Sequence, residues 1–108
     1  MANTFKLKTK ANVGVTTVGI YTAPASTTTV VIGITMANTS GSGVNVGVGI
    51  TRASAEYIKL HKNAPLPHGS SLEFMAGNKV VLEATDTLPV DSDANNSVDT
   101  ALTIMEIT

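Results

Sequence analysis

The sequence predicts an all-β chain: one antiparallel β-sandwich of jelly-roll type with about eight strands, spanning residues 1–108 as a single domain. Three observations carry this. Apolar residues recur at every second position through most of the chain. Turn-forming residues punctuate it every ten residues or so. No segment shows the three-to-four residue apolar spacing of an amphipathic helix.

The longest alternating run is Thr27 to Asn38, TTTVVIGITMAN. Val30, Ile32, Ile34 and Met36 fall on one parity, and Val31, Gly33, Thr35 and Ala37 on the other. That pattern predicts a strand with one large apolar face and one small, mixed face. Its density of β-branched residues agrees, and its length places it in the middle of a sheet.

Ahead of it, Phe5 to Thr9 alternates apolar and basic residues. This predicts an edge strand with lysine on its outer face. Parity shifts at Val13 to Val15 and resumes at Val18, Ile20 and Thr22. Gly14 and Gly19 permit a bulge or close packing there. Ala23-Pro24-Ala25-Ser26 is a turn, because proline fixes φ and removes a hydrogen-bond donor.

Asn38 to Gly43, NTSGSG, is the clearest turn. Val44, Val46, Val48 and Ile50 then alternate with small or polar residues. The expectation is a long hairpin, with this strand antiparallel to Thr27–Asn38. The glycines of its second face suit close approach of another layer or subunit. They cradle no phosphate, since no helix follows them.

Arg52 to Glu56 reads as a loop into a strand at Tyr57 to Lys62. Asn63 to Ser71, NAPLPHGSS, reads as a long, polyproline-like connection. Leu72 and Phe74 start a short strand, and Ala76-Gly77-Asn78 turns into Lys79 to Ala84, with Val80 and Leu82 toward the core. Asp86 to Asn96 is a polar loop holding a short strand at Leu88 to Val90. Val98 to Ile107 closes the chain with both faces apolar, so it is central or covered by a second chain.

Charge and composition bound the function. Charged residues make up 14%, against roughly 25% in ordinary soluble domains. So sparsely charged a surface is suited to meeting other chains. The charge is also segregated. Up to Ala55 there are only Lys6, Lys8, Lys10 and Arg52, whereas all eight acids follow it, against Lys59, Lys62 and Lys79. This suits head-to-tail contact between copies or an acidic partner for the N-terminal segment. A net charge of -1 gives no global argument for nucleic acid or anionic membrane, and neither is expected as a partner. With no cysteine, thiol chemistry and disulfides are excluded. The start, MANTFKLKTK, has no apolar run behind its lysines and predicts no secretory signal. The apolar stretches are far shorter than a membrane span.

The catalytic inventory points away from an enzyme. His61 and His68 are the only histidines and lack metal-ligand spacing. A serine triad would need Ser70 or Ser71 to meet a histidine and an acid, without the usual nucleophile elbow. No catalytic residue, cofactor or cofactor-binding residue is expected. Asp91-Ser92-Asp93-Ala94-Asn95 imitates the start of a calcium loop, making Asp91 and Asp93 the metal candidates. The imitation fails at its sixth position, Asn96, and its twelfth, Leu102, so the bland reading is a solvated turn. Tyr21, Tyr57 and His61 would make a carbohydrate platform only if Tyr21 lay outside the core.

Four stretches carry a resemblance: Ile20–Val48, Tyr57–Phe74, Gly77–Val90 and Asn95–Thr108. In general pattern they resemble a family of small virion structural proteins of tailed bacteriophages, many from marine and cyanobacterial phages. The resemblance implies a role in the virion, synthesis in the host cytoplasm, and no catalytic residues. It leaves the place in the particle open; the leading expectation is a capsid decoration (cement) protein, homo-oligomeric, with a trimer among the options, and the major capsid protein as partner. Lys6, Lys8 and Lys10 are then the capsid-contact candidates. The alternative is a tail-associated or fibre component, bound to tail proteins, whose loops Asn63–Ser71 or Asp86–Asn96 meet host receptors.

Overall fold

The structure, a computed structural model, describes residues 3–73 and 80–108. Among the described residues nine strands follow one another: β1 (Asn3–Val13), β2 (Val18–Thr22), β3 (Thr28–Asn38), β4 (Val44–Thr51), β5 (Tyr57–Leu66), β6 (Ser71–Glu73), β7 (Val80–Leu82), β8 (Thr87–Ser92) and β9 (Val98–Ile107). No helix occurs among the described residues.

One sheet has the order β1-β9-β3-β6, with β7 also on β3, and the other the order β2-β8-β4-β5. All pairings are antiparallel. β6 and β7 lie end to end along β3: Ser71–Glu73 face Ala37–Thr35, and Val80–Leu82 face Val31–Thr29. They occupy the place of one strand, so the fold is an eight-position jelly roll, as the sequence predicts.

The core lies between the sheets. Val31, Ile34, Met36, Leu82, Leu102 and Ile104 come from the first sheet, and Val46, Val48, Leu66, Leu88 and Val90 from the second; all are essentially inaccessible. Burying each such side chain is worth roughly 1.5–3 kcal/mol. A chain without cysteine therefore holds its sheets together by apolar burial.

Several expectations from the sequence are corrected. β3 and β4 do not form a hairpin. β3 pairs with β9, β6 and β7, whereas β4 pairs with β5 and β8 in the opposite sheet. The NTSGSG turn carries the chain across the sandwich instead. Buried Asn38 braces it, donating from Nδ2 to the carbonyls of Ser42 (2.9 Å) and Leu66 (3.0 Å). Its Oδ1 accepts from the Ser40 backbone and hydroxyl. Each strand then spends its apolar face on the shared core.

The apolar face of β3 also changes partway along. A register shift between Val31 and Gly33 swaps the parity. Thr29 and Val31 are buried before it, and Ile34, Met36 and Asn38 after it. Val30 and Ile32 are therefore left half-buried rather than in the core.

β5 runs four residues beyond the expected end, with Ala64, Pro65 and Leu66 paired to Val46, Asn45 and Val44. It is an edge strand, where proline costs no ladder bond. β8 is a full central strand rather than a short one within a polar loop. Pro89 stays in register with Gly19 of β2, and the ladder to β4 passes from Val90 to Thr87 without it, so the missing N–H interrupts no pair there. The expected turn at Ala76-Gly77-Asn78 and the residues Phe74 and Lys79 lie outside the described residues.

The glycines of β4 serve contacts within the chain. A Cβ at Gly47 would stand 2.5 Å from Asp91 Oδ1, and one at Gly49 would stand 2.6 Å from the Ile58 carbonyl and 2.8 Å from the Tyr57 ring. Side chains of the flanking strands fold over these positions.

Among the described residues one buried polar atom, Thr100 Oγ1, has no hydrogen-bond partner. An unpaired buried hydroxyl costs stability. Thr100→Val should raise the denaturation midpoint, by up to about 1 kcal/mol in unfolding free energy, as read by urea titration.

Candidate functional site

β1 presents its lysines opposite to expectation. In register, Lys6, Lys8 and Lys10 stand beside Ile104, Leu102 and Thr100, the inner-facing residues of β9. Phe5 and Leu7 stand beside Met105 and Thr103 on the outer face. The alternation in FKLKT is as the sequence predicts, but the strand is turned over. The cause is Glu106, a buried carboxylate at the end of β9. Its Oε1 takes an ion pair from Lys6 Nζ at 2.8 Å, and its Oε2 accepts the Tyr21 hydroxyl at 2.6 Å. The Thr29 hydroxyl lies 2.8 Å from the same phenol oxygen. Charges turned inward on an edge strand also discourage another strand from adding there.

This cluster joins both sheets, since Tyr21 belongs to β2 and Glu106 to β9. Lys6 and Tyr21 hold the Glu106 carboxyl below its ordinary range, against the opposing effect of burial. Burial, followed by the hydrogen bond to Glu106, pushes the Tyr21 phenol up to about 12.

A second carboxylate braces the loops at one end. Asp86 is 2% exposed. Burial works against its ionisation, but other groups outweigh this: the backbone N–H groups of Glu83 (3.0 Å) and Ala53 (3.1 Å), and the Arg52 guanidinium (3.0 Å). The net effect holds its carboxyl below the usual range. Arg52 reaches Glu83 as well, at 2.6 Å. Both clusters find their partners within the chain and brace it.

The metal candidates are also engaged. Asp91 Oδ2 accepts the Thr17 hydroxyl at 3.0 Å, and Asp93 Oδ1 accepts the Asn45 N–H at 3.0 Å. Ser92 between them points inward to Ser97. Among the described residues no three His, Asp or Glu side chains gather as a metal site would require. His68 Nδ1 lies 2.6 Å from the Ser40 carbonyl, and the Ser70 hydroxyl donates to the Pro67 carbonyl. Tyr21 is in the core, so it makes no platform with Tyr57 and His61.

Sequence reasoning found only the β9 part of the outer face of the five-stranded sheet and missed what the other strands add to it. Cross-strand register builds it in rows: Asn3–Ile107–Thr28, then Phe5–Met105–Val30–Val81, then Leu7–Thr103–Gly33, then Thr9–Ala101–Thr35–Glu73. Phe5 is 68% exposed, Leu7 64% and Val81 53%. Beyond Leu7 the Glu73 carboxylate folds over Gly33, and a shallow recess of ≈ 360 Å³ opens over Thr9, Ala11, Thr35, Ala37 and Ala101, with Lys10 and Asp99 also in its lining. Isolated exposed apolar residues are ordinary, but a contiguous block marks a contact surface. The apolar outer face of β9 was the sequence signal that pointed to it.

No family model matches the chain, and no curated protein matches it. Solved structures do. A Bacillus endospore appendage, from a family of disulfide-linked pili, superposes with a TM-score of 0.61 at 13% identity, covering 99% of this chain and 87% of that one. A chain from the acid-stable capsid of Helicobacter pylori bacteriophage KHP30 gives a TM-score of 0.60 at 10% identity, covering 100% and 89%. Infectious bursal disease virus, Gx strain, gives 0.56 at 13%, covering 98% of this chain and 32% of that one. At these identities the likeness defines the fold: the chain has the β-sandwich architecture of viral shell and pilus subunits.

The shifted groups set a pH window. Groups with lowered pKa values contribute stability above their ordinary range and lose it as pH falls, so Glu106 and Asp86 shape the acid side. Tyr21, raised, contributes until pH climbs through 10 toward 12. Thermal melts should therefore plateau near neutrality and decline on both sides. Tyr21→Phe should flatten the alkaline decline while lowering the melting temperature at pH 7, because Glu106 loses a donor.

Proposed function

We infer that the chain is a structural subunit of a virus particle, and specifically a capsid decoration (cement) protein of a tailed bacteriophage. The observation that carries this reading is the KHP30 capsid likeness. It spans nearly the whole of both chains, so a lone sandwich of this size has a counterpart in a phage shell. In the bursal disease virus chain the same architecture fills only a third of the length. The pilus likeness is equally long, but those pili are disulfide-linked and this sequence has no cysteine.

The function is physical. Bound across capsomer junctions, the protein favours the assembled shell by mass action, because it binds the shell and not its separated parts. The partner is the major capsid protein. Although they lie on the inward-turned side of the edge strand, Lys8 is half-buried and Lys10 exposed, and Glu106 already holds Lys6, so Lys8 and Lys10 are the capsid contacts left for an acidic shell surface.

The copy number in purified virions, measured by quantitative mass spectrometry against the major capsid protein, tests the reading. A number comparable with the capsid protein is expected. A few to a few tens per particle would remove it in favour of a tail component. Lys8→Gln with Lys10→Gln should weaken binding to empty, expanded shells several-fold and reduce its salt sensitivity. Unchanged binding would clear these lysines of the contact.

A further inference from the structure

β1 is long but shallow. Of its eleven residues only Val13 is buried, and Lys8 is half-buried. Residues 3–10 run in unbroken register along β9 and pair with no other strand among the described residues. Their one polar side-chain tie there is the ion pair from Lys6 to Glu106. A strand with so few buried contacts opens well before the sandwich as a whole unfolds.

The strand is joined to the body by a turned residue. The ladder shifts between Lys10 and Val13. Within that gap Asn12 is left-handed, with φ 58°, and Asp99 Oδ1 holds its N–H at 3.0 Å. Just beyond, the chain is fixed. The buried Val13 accepts the Ser97 N–H on its carbonyl at 3.1 Å, and the Gly14 carbonyl accepts the Ser92 N–H at 2.9 Å.

We propose that residues 3–10 are an exchangeable strand. With Asn12 extended, they leave their own β9 and pair in the same register with β9 of a second copy, reciprocally about a two-fold axis.

The vacated edge of β9 selects that occupant. Glu106 is buried, and a buried charge stripped of its partner is costly. An entering strand therefore has to bring a cation to the position of Lys6, beside Ile104 and diagonal to Glu106. On the other face it has to cover Met105 and Thr103, as Phe5 and Leu7 do. β1 of a second copy meets every requirement, because these are the contacts it already makes within one chain. The outer edge of β1 itself offers no such site, since its lysines guard it.

The closed and exchanged forms share the ladder and the ion pair, and they differ at the hinge. Extending Asn12 gives up the Asp99 bond but releases a backbone conformation that residues other than glycine occupy at a cost. Short, strained hinges favour exchange of this kind.

Sedimentation equilibrium of the whole chain, from micromolar to millimolar concentration, should show a monomer–dimer equilibrium. Asn12→Pro forbids the left-handed turn and should make the dimer predominate. Asn12→Gly adopts that turn freely and should weaken the dimer about tenfold, because two hinges relax per dimer. Near-ultraviolet circular dichroism confirms that each variant folds, and Asn12→Gly carries the test if Asn12→Pro does not fold.

Because the chain has no cysteine, single thiols identify the contact. Thr9→Cys in one chain and Ala101→Cys in another are cross-strand partners. Mixed under native conditions and oxidised, they should form a disulfide between chains. Thr9→Cys with Met105→Cys, four residues out of register, should not. A chain that stays monomeric without matched cross-links would overturn the proposal. So would equal linking of matched and mismatched pairs, which would mean surface association, or a dimer that Asn12→Gly leaves unchanged. The inference is independent of the decoration reading: exchange is read on the purified chain, whereas decoration is read from copy number in the virion.

Discussion

The last strand holds the five-stranded sheet together. β9 pairs with β1 along one edge and with β3 along the other, over nearly its whole length. β1 has no other partner in that sheet, so the first element of the chain is placed only when the last one arrives. The inner face of β9 buries Val98, Thr100, Leu102, Ile104 and Glu106 in sequence. Contacts this distant along the chain cost loop-closure entropy before they contribute anything. The fold therefore depends on a strand apolar enough on both faces to repay that cost wherever it inserts.

Glu106 shows how that strand also orients its neighbour. A carboxylate in the sandwich interior needs donors, or it costs several kcal/mol. Tyr21 supplies one from the opposite sheet and Lys6 supplies the charge from the adjacent strand. Satisfying it turns the lysine side of β1 inward and leaves Phe5 and Leu7 facing solvent. One buried acid thus decides which face of the edge strand the rest of the world meets. At the other cluster, Asp86 ties the β4–β5 loop to the β7–β8 loop through Arg52 and two backbone N–H groups. In both places ionisable chemistry goes into bracing the sandwich.

The two buried carboxylates find their partners within the chain, while Phe5, Leu7 and Val81 of the five-stranded sheet stay exposed. The neighbours in fold space come from pili and virus capsids, and at 10–13% identity the likeness is one of fold. Here the core is aliphatic and closely packed, while the distinguishing features are on the outer surface: an uncharged raised block, a neighbouring recess, and an edge guarded by lysine.

The sequence by itself determined the all-β class, most strand positions, and the central place of both long strands, Thr28–Asn38 and Val98–Ile107. Period-two alternation and β-branched density suffice for that, because they state which residues share a face. Alternation does not state which face turns inward, nor which strand lies alongside. The bulge at Ile32 reversed parity within β3, and Glu106 reversed it for β1. NTSGSG, a good hairpin turn locally, became a crossing between sheets because each flanking strand gained more from the shared core than from its neighbour. The short strand expected at Leu88 to Val90 became a full central one, because β2 and β4 flank it on either side. The outer apolar face was legible only as a hint in the two-faced final strand. Its raised and recessed halves come from four strands distant in the chain, and only tertiary register aligns them.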